Sequence, residues 1–425
     1  MSQLSSEQNH INSVKARLGY IEFVIMIAVL MATNAIAIDI MLPAMGEIKR
    51  SLNVTGVNDH HYIIFCYLVG FGFSQVFLGP ISDRFGRRIP IIISLILYSI
   101  ASAACAFAPS FAGLLVLRAI QGVGAAATRV LTVSIVRDIY DGRKMAEVMS
   151  IVMMVFMIVP IIAPATGQAI MIFEHWQLIF LFMAVAGVII TFWVYFRLPE
   201  TLYEKRPLTF SSVGTGLWVV ISNRAALCYT LAFSVLLGSL FAALNTAEQI
   251  YNGIYGLGVW FPLAFATVAT FQALSAFLNA RFVGKYGMRR ISHVLLMIFC
   301  FASFIWFIWS IIAGGNIPFV FYMILFTIIM FSFGGMGANF NSLAMEPLGK
   351  VAGTASSVFG FLQTVLGAGL GFIIGQQFNG STIPIAAGFF ILGSVAVILV
   401  LIAENGRLFN QSVHLINNDN IPKKD

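Results

Sequence analysis

Long apolar runs separated by short polar breaks recur along the whole chain. Ile89–Ala108 and Val294–Ile312 each pass without one charged side chain. Runs of about 20 residues at about 1.5 Å per residue cross a hydrocarbon core of about 30 Å. In that medium backbone N–H and C=O groups must be satisfied within the segment, so each run is predicted to be a helix. Twelve such helices are expected, at 20–44, 60–80, 89–108, 111–137, 145–172 and 177–197, then 223–247, 258–283, 290–313, 317–341, 351–375 and 383–404. Most connections are very short. The exception is 198–222, which carries Pro199, Glu200, Glu204, Lys205, Arg206 and Pro207 and divides the chain into halves at 20–197 and 223–404, flanked by polar tails at 1–19 and 405–425.

Composition agrees with this pattern. The chain is 59% apolar and 10% charged, against about 25% charged for a soluble domain whose surface faces water. The net charge of +7 does not point to nucleic acid, because the basic residues fall in short clusters between spans and form no continuous basic face. If both termini are placed inside, 20 of the 24 lysines and arginines lie on the inner side. That bias is the orientation signal of membrane helices, so the termini and the 198–222 loop are expected to be cytoplasmic. Cys66, Cys105, Cys228 and Cys300 sit inside apolar runs at no metal-ligand spacing and read as small apolar fillers. No small-residue cleavage site follows the first run, which reads as a permanent span.

Four patches carry candidate chemistry. Gly79-Pro-Ile-Ser-Asp-Arg-Phe-Gly-Arg-Arg88 recurs weakly as Ala280-Arg-Phe-Val-Gly-Lys-Tyr-Gly-Met-Arg289, offset by 201 residues, each copy after the second span of its half. Parallel repeats with a site between them are a transporter architecture. Arg118-Ala-Ile-Gln-Gly-Val-Gly-Ala-Ala126 places a cation inside the fourth span, where it must find a carboxylate, a carbonyl, water or the headgroups. Asp39-Ile-Met-Leu-Pro43 places a carboxylate inside the first span. Val159-Pro-Ile-Ile-Ala-Pro-Ala-Thr-Gly-Gln168 puts Pro160, Pro164 and Gly167 in the fifth, where two prolines free carbonyls from the helix ladder.

On these residues the chain resembles the major facilitator superfamily, within it the twelve-span drug:proton antiporters, and most of all their bicyclomycin/chloramphenicol-resistance branch. The resemblance covers nearly the whole chain. It implies an all-α membrane protein of two six-helix bundles that exports small molecules, as in multidrug efflux, by alternating access in exchange for protons. It implies Asp39 and Arg118 as the proton-coupling residues, and Gly79, Asp83, Arg84, Gly86, Arg87 and Arg88 as a cytoplasmic gating loop. In the second copy Gly284 stands in place of the acid, so a weaker latch is expected there. The fifth-span segment departs from the antiporter motif at Val159, Ala163 and Gln168, which weakens the inference of direction.

Asp39 and Arg118 both lie in the outer part of their spans, which makes pairing feasible; the acid would then alternate between an ionised, paired state and a protonated, released one. Asn34, Gln121, Gln272, Asn339 and Gln363 are polar groups inside spans, candidates either for substrate contact or for bridging helices. Arg129 follows Arg118 by 11 residues, so both share a helix face about 16 Å apart. It reads either as a cavity cation or as a partner for Asp138, Asp141 or Glu22. Glu248 reads as a second titratable group or as an acid at the outer mouth. No phosphate-binding loop, metal constellation or nucleophile appears, so neither ATP, a cofactor nor enzymatic catalysis is expected. The expected setting is the bacterial inner membrane, with a small molecule, protons and lipid as partners and a monomer as the working unit. The alternatives are a metabolite or siderophore exporter, a proton-coupled importer, or a non-transporting receptor or scaffold.

Overall fold

The computed structural model describes residues 11, 13–173, 175–205 and 211–409. Arg206, Pro207, Lys423 and Lys424 lie outside the described residues, and the two tails are described only in part. Every regular element among the described residues is helical. Among the described residues, twelve helices are long and apolar enough to cross a membrane. In the first half they are α1 (Tyr20–Asp39), α2 (Tyr62–Phe85), α3 (Arg88–Ala106), α4 (Phe111–Ile139), α5 (Gly142–Met171) and α6 (Gln177–Arg197). In the second they are α7 (Arg224–Glu248), α8 (Phe261–Tyr286), α9 (Met288–Ile312), α10 (Phe319–Met345), α11 (Ala352–Gln376) and α12 (Ile383–Ala403). They form two six-helix bundles, and the ends lie within a few residues of the predicted ones.

Two differences have local causes. The first span is not one helix. Pro43 has no N–H to offer the carbonyl of Asp39, four residues back, and its ring crowds that carbonyl. α1 accordingly stops at Asp39, and the chain continues through a 3-10 turn, Leu42–Ala44, into a short helix, Met45–Ser51. The central loop in turn contains a helix, Ser211–Ser222, that packs on α11, α7 and α2.

The helices are inside-out relative to a soluble bundle. α3 exposes Ile89, Ile93, Ile96 and Ile100 while burying Ser94, Ser99 and Ser102; Ser99 donates to the Leu95 carbonyl and Ser102 to the Tyr98 carbonyl, each at 2.7 Å. A face that presents isoleucine and hides serine is at equilibrium only against hydrocarbon.

Between halves, α2 lies along α11 and α5 along α8, and the Leu42–Ala44 turn touches both α5 and α7. Within halves, close approach comes from small residues. A Cβ on Gly122 would collide with the Tyr67 carbonyl of α2, and one on Gly371 with Phe241 of α7. Gly122→Leu should therefore force α4 off α2, at a cost of about 3 kcal/mol or more. Gly284→Ala, with nothing within 4 Å of its new methyl, should leave the melting temperature unchanged or raised. Thermal unfolding of the detergent-purified variants checks both.

Candidate functional site

Arg118 lies two turns into α4 and is wholly buried, 0% exposed, which excludes the headgroup alternative. Its guanidinium donates to the Ala37 carbonyl of α1 at 3.2 Å, to the Ile63 carbonyl of α2 at 3.3 Å and to Gln121 Oε1 at 2.5 Å. It also stands over the Tyr67 ring, 4.5 Å from the centroid. The stop at Asp39 makes this possible. The last four carbonyls of a helix have no N–H four residues on, and the end carries partial negative charge. Arg118 is the cation that satisfies that end. Gln121 holds it in place, its amide nitrogen donating in turn to Ser102 Oγ at 2.6 Å. Tyr67, which sequence reasoning missed, donates its hydroxyl to Asn34 Oδ1 at 2.9 Å. No pattern marks an aromatic residue in an apolar span as the floor of a cation site.

Asp39 occupies the same helix end, 5% exposed, with no hydrogen bond or ion pair among the described residues. The expected Asp39–Arg118 pair is thus not formed in this conformation: the guanidinium serves the backbone of α1 rather than its carboxylate. The two groups do share one turn of α1. The antiporter-like segment meets that turn too, because a Cβ on Gly167 would collide with the Ile40 carbonyl. α5 runs as one helix through Pro160 and Pro164.

The structure separates the polar candidates. Gln121 is consumed in the Arg118 network. Asn339 and Asn279 exchange amide hydrogen bonds at 2.8 and 3.1 Å, tying α10 to α8, and Gln363 donates to Asn341 at 2.7 Å, tying α11 to α10. In this conformation Gln121, Asn339 and Gln363 all bridge helices. Gln272 and Arg129 are half-buried with no side-chain partner among the described residues. Arg129 pairs with none of its alternative acids: Glu22 is held by Arg197 and Trp193, and Asp138 by Arg87 and Thr201. Glu248 is half-buried against Gly46 of the other half, not a free surface acid.

The Gly79–Arg88 loop is wired within its own half. Arg87 is buried, with bonds to Asp83 at 2.6 Å and Asp138 at 3.0 Å. Burial alone would lower its pKa, but the two carboxylates outweigh burial and hold it above its ordinary range. Glu200, just past α6, accepts from the backbone N–H groups of Arg87 at 2.7 Å and Arg88 at 3.3 Å, placing a negative charge at the start of α3. Glu200 thus supplies the negative charge at that helix start. Gly86 adopts φ +93°, and a Cβ there would strike the Glu200 carboxylate. Arg88 donates to the Tyr195 carbonyl, whereas Arg84 is exposed and makes no such bond among the described residues. The second copy is not simply weaker. Arg289 alone binds Glu346 at 2.8 Å and Glu404 at 2.7 Å.

Hydrogen bonds join the halves at the end away from the termini. Asn58 donates to the Gln376 and Phe378 carbonyls at 2.9 and 2.8 Å and accepts from Gln249 at 2.9 Å, while Gln249 Oε1 lies 2.9 Å from His61 Nε2. At the termini end the ion pairs among the described residues stay within one half. Among the described residues no group of three or more His, Cys, Asp or Glu is placed to hold a metal ion.

The family model of the Major Facilitator Superfamily matches residues 25–372. The chain belongs to that superfamily. Major facilitator proteins are membrane transporters, and the relatives of this one concentrate in resistance proteins. It is 29% identical to a bicyclomycin resistance protein homolog of Haemophilus influenzae, over 89% of this chain and 94% of the relative. It is 28% identical to multidrug resistance protein D of Escherichia coli, over 81% and 86%. An uncharacterized MFS-type transporter of Bacillus subtilis is 30% identical over 90% and 95%. Among solved structures, the xylose transporter of E. coli in a partially occluded inward-open conformation superposes with a TM-score of 0.68 at 13% identity, covering 93% of this chain and 98% of that one. That likeness is one of fold.

Two outcomes follow from the site. Gln121→Leu removes the acceptor of a charged donor and should cost about 1.5–3 kcal/mol. Gln363→Leu removes a neutral interhelical bond worth about 0.6 kcal/mol. Unfolding titrations of the two variants should rank them in that order. Asn58→Ala should loosen the junction of the halves. Spin labels introduced by Asn53→Cys and Asn316→Cys, one in each half, should then report longer separations than in the parent.

Proposed function

We propose that this transporter exports small drug-like molecules in exchange for protons, with Asp39 as the proton carrier and Arg118 as its counter-charge. The observation that carries the reading is the position of Asp39. A buried carboxyl with no partner among the described residues ends α1 at the break, three residues before the Leu42–Ala44 turn that touches α5 in its own half and α7 in the other. A charge appearing or vanishing there acts on the junction that must move in alternating access. Ionised, Asp39 competes with the helix-end carbonyls for Arg118; protonated, it leaves the guanidinium to them, the arrangement seen here. An intramembrane ionisable pair that exchanges partners in this way is how transporters relay protons.

The resistance names of the relatives support a drug-like substrate. The basic clusters support cytoplasmic termini in an inner membrane, with the Asn58 junction at the outer side. One charge moving down about 100 mV supplies about 2.3 kcal/mol, enough to sustain roughly a 50-fold substrate gradient. No cofactor is required on this reading, and a monomer suffices, because both halves lie in one chain.

The test is efflux of radiolabelled chloramphenicol and of ethidium in proteoliposomes, with and without an imposed proton gradient. The gradient should accelerate transport. Asp39→Asn should abolish that acceleration, at least about tenfold, the effect of losing 1.4 kcal/mol of coupling, while counterflow of unlabelled for labelled substrate persists. An Asp39→Asn protein that pumps like the parent would remove the coupling assignment.

A further inference from the structure

We propose that Arg129 is the recognition group for an anion on the transported molecule, so that the substrates include carboxylic acids as well as neutral drugs. The proposal rests on the export reading and names a substrate class for it.

Eleven residues return a helix to within about 20° of its starting direction, so Arg129 continues the face of α4 that carries Arg118. That face looks inward: at Arg118 it meets the backbones of α1 and α2. Arg129 therefore lies deep in a span on an interior face, about 16 Å closer to the termini end. Its situation differs from that of the other interior arginines. Arg87 has Asp83 and Asp138; Arg118 has two carbonyls and Gln121; Arg289 has Glu346 and Glu404. The Arg129 side chain has no hydrogen bond, ion pair or ring contact among the described residues; only its backbone carbonyl is engaged, by the Thr132 hydroxyl at 3.0 Å. Of the acids at the inner end, Glu22 is engaged by Arg197 and Asp138 by Arg87, while Asp141 is exposed and forms no ion pair with Arg129 among the described residues. Asp39 lies near the far end of the face, in the turn that Arg118 serves.

A guanidinium half-buried inside a span without an acceptor costs several kcal/mol, and folding offers nothing visible in return. Binding does. The planar five-donor fork matches a carboxylate or phosphate oxygen pair and is weakly hydrated for a cation. The same charge repels cationic drugs. It also fits export: an inside-negative potential drives an anion outward, so anion export and proton entry draw on the membrane potential together.

The test is ligand-induced thermal stabilisation of the full-length protein in detergent, with no gradient present. The probes are acids paired with neutral partners: chloramphenicol succinate with chloramphenicol, salicylate with salicylamide, and nalidixate with its ethyl ester. In the parent at least one acid should bind about tenfold or more tightly than its partner, a difference of about 1.4 kcal/mol. Arg129→Gln should bring acid and partner together, and Arg129→Lys, which keeps the charge, should preserve part of the preference. The proposal is overturned if no acid in the panel outperforms its partner in the parent, or if the preference survives Arg129→Gln. Should Arg129→Gln fail to fold, the parent's preference and the Arg129→Lys protein still decide: an equal response to both members of every pair overturns it. Because no proton gradient enters the measurement, failure here leaves the coupling role of Asp39 standing, and failure of proton coupling leaves this result standing.

Discussion

A cation can be held in the middle of a hydrocarbon layer only where backbone carbonyls have been released to meet it, and that constraint organises the first half of this protein. Pro43 withholds one N–H, α1 ends at Asp39, and the carbonyls of its last turn become acceptors without donors. Arg118 reaches across from α4 to the Ala37 carbonyl. The reach is short because Gly122 lets α4 lie against the carbonyl of Tyr67, which brings the Tyr67 ring under the guanidinium. Gln121 and Ser102 then fix the direction of the fork. Removing any one of these leaves either a bare cation or bare carbonyls in a medium where each costs several kcal/mol. The network therefore acts as a unit, with Asp39 at the same end of α1.

The same economy governs the termini end, where the two halves solve one problem in different ways. Each has an arginine cluster after its second span and acids at the ends of its fourth and sixth. In the first half the work is divided: Asp138 and Asp83 hold Arg87, and Glu200 caps α3 through backbone N–H groups. In the second, Arg289 takes both Glu346 and Glu404, and Tyr229 adds a hydroxyl to Glu404 at 2.6 Å. The internal repeat is thus one of topology and charge more than of residue identity, and for that reason it is faint in the sequence. Each cluster makes its half rigid without binding it to the other, which suits bundles that must rock against each other.

The spans were legible because the signal that defines them, a run of uncharged apolar residues of membrane length, is the same one that decides where a helix can lie in a bilayer. Arg118 and Asp39 were legible because ionisable groups inside such runs are expensive and stand out. Their partners were not. A guanidinium can be met by a carboxylate, an amide, an aromatic ring or a carbonyl, and only the packing of α1, α2 and α4 decides which. Asn339 and Gln363 show the same limit: an amide inside a span has the same letter whether it clamps a neighbouring helix, as these do, or faces a substrate path. Glu200 was hidden for another reason. Its role is to cap α3, more than 100 residues earlier in the chain, so no local pattern announces it.

The placement of the interhelical bonds bears on direction. Apart from Gln75 of α2, which donates to Thr364 of α11 at 3.2 Å near mid-span, the side-chain hydrogen bonds between the halves among the described residues gather at the end that carries Asn58, His61, Gln249 and Gln376, and they join neutral groups. Neutral bonds between helices are worth about 0.6 kcal/mol each, so a handful closes this end without locking it. The ion pairs that would be harder to break lie within the halves at the other end. A conformational change that separates the halves at Asn58 therefore costs a few neutral bonds and leaves every strong pair intact. On the proposed reading, protonation of Asp39, just before the Leu42–Ala44 turn that touches α7 across the junction, would act at the end that is cheapest to open, as a proton-driven outward step requires.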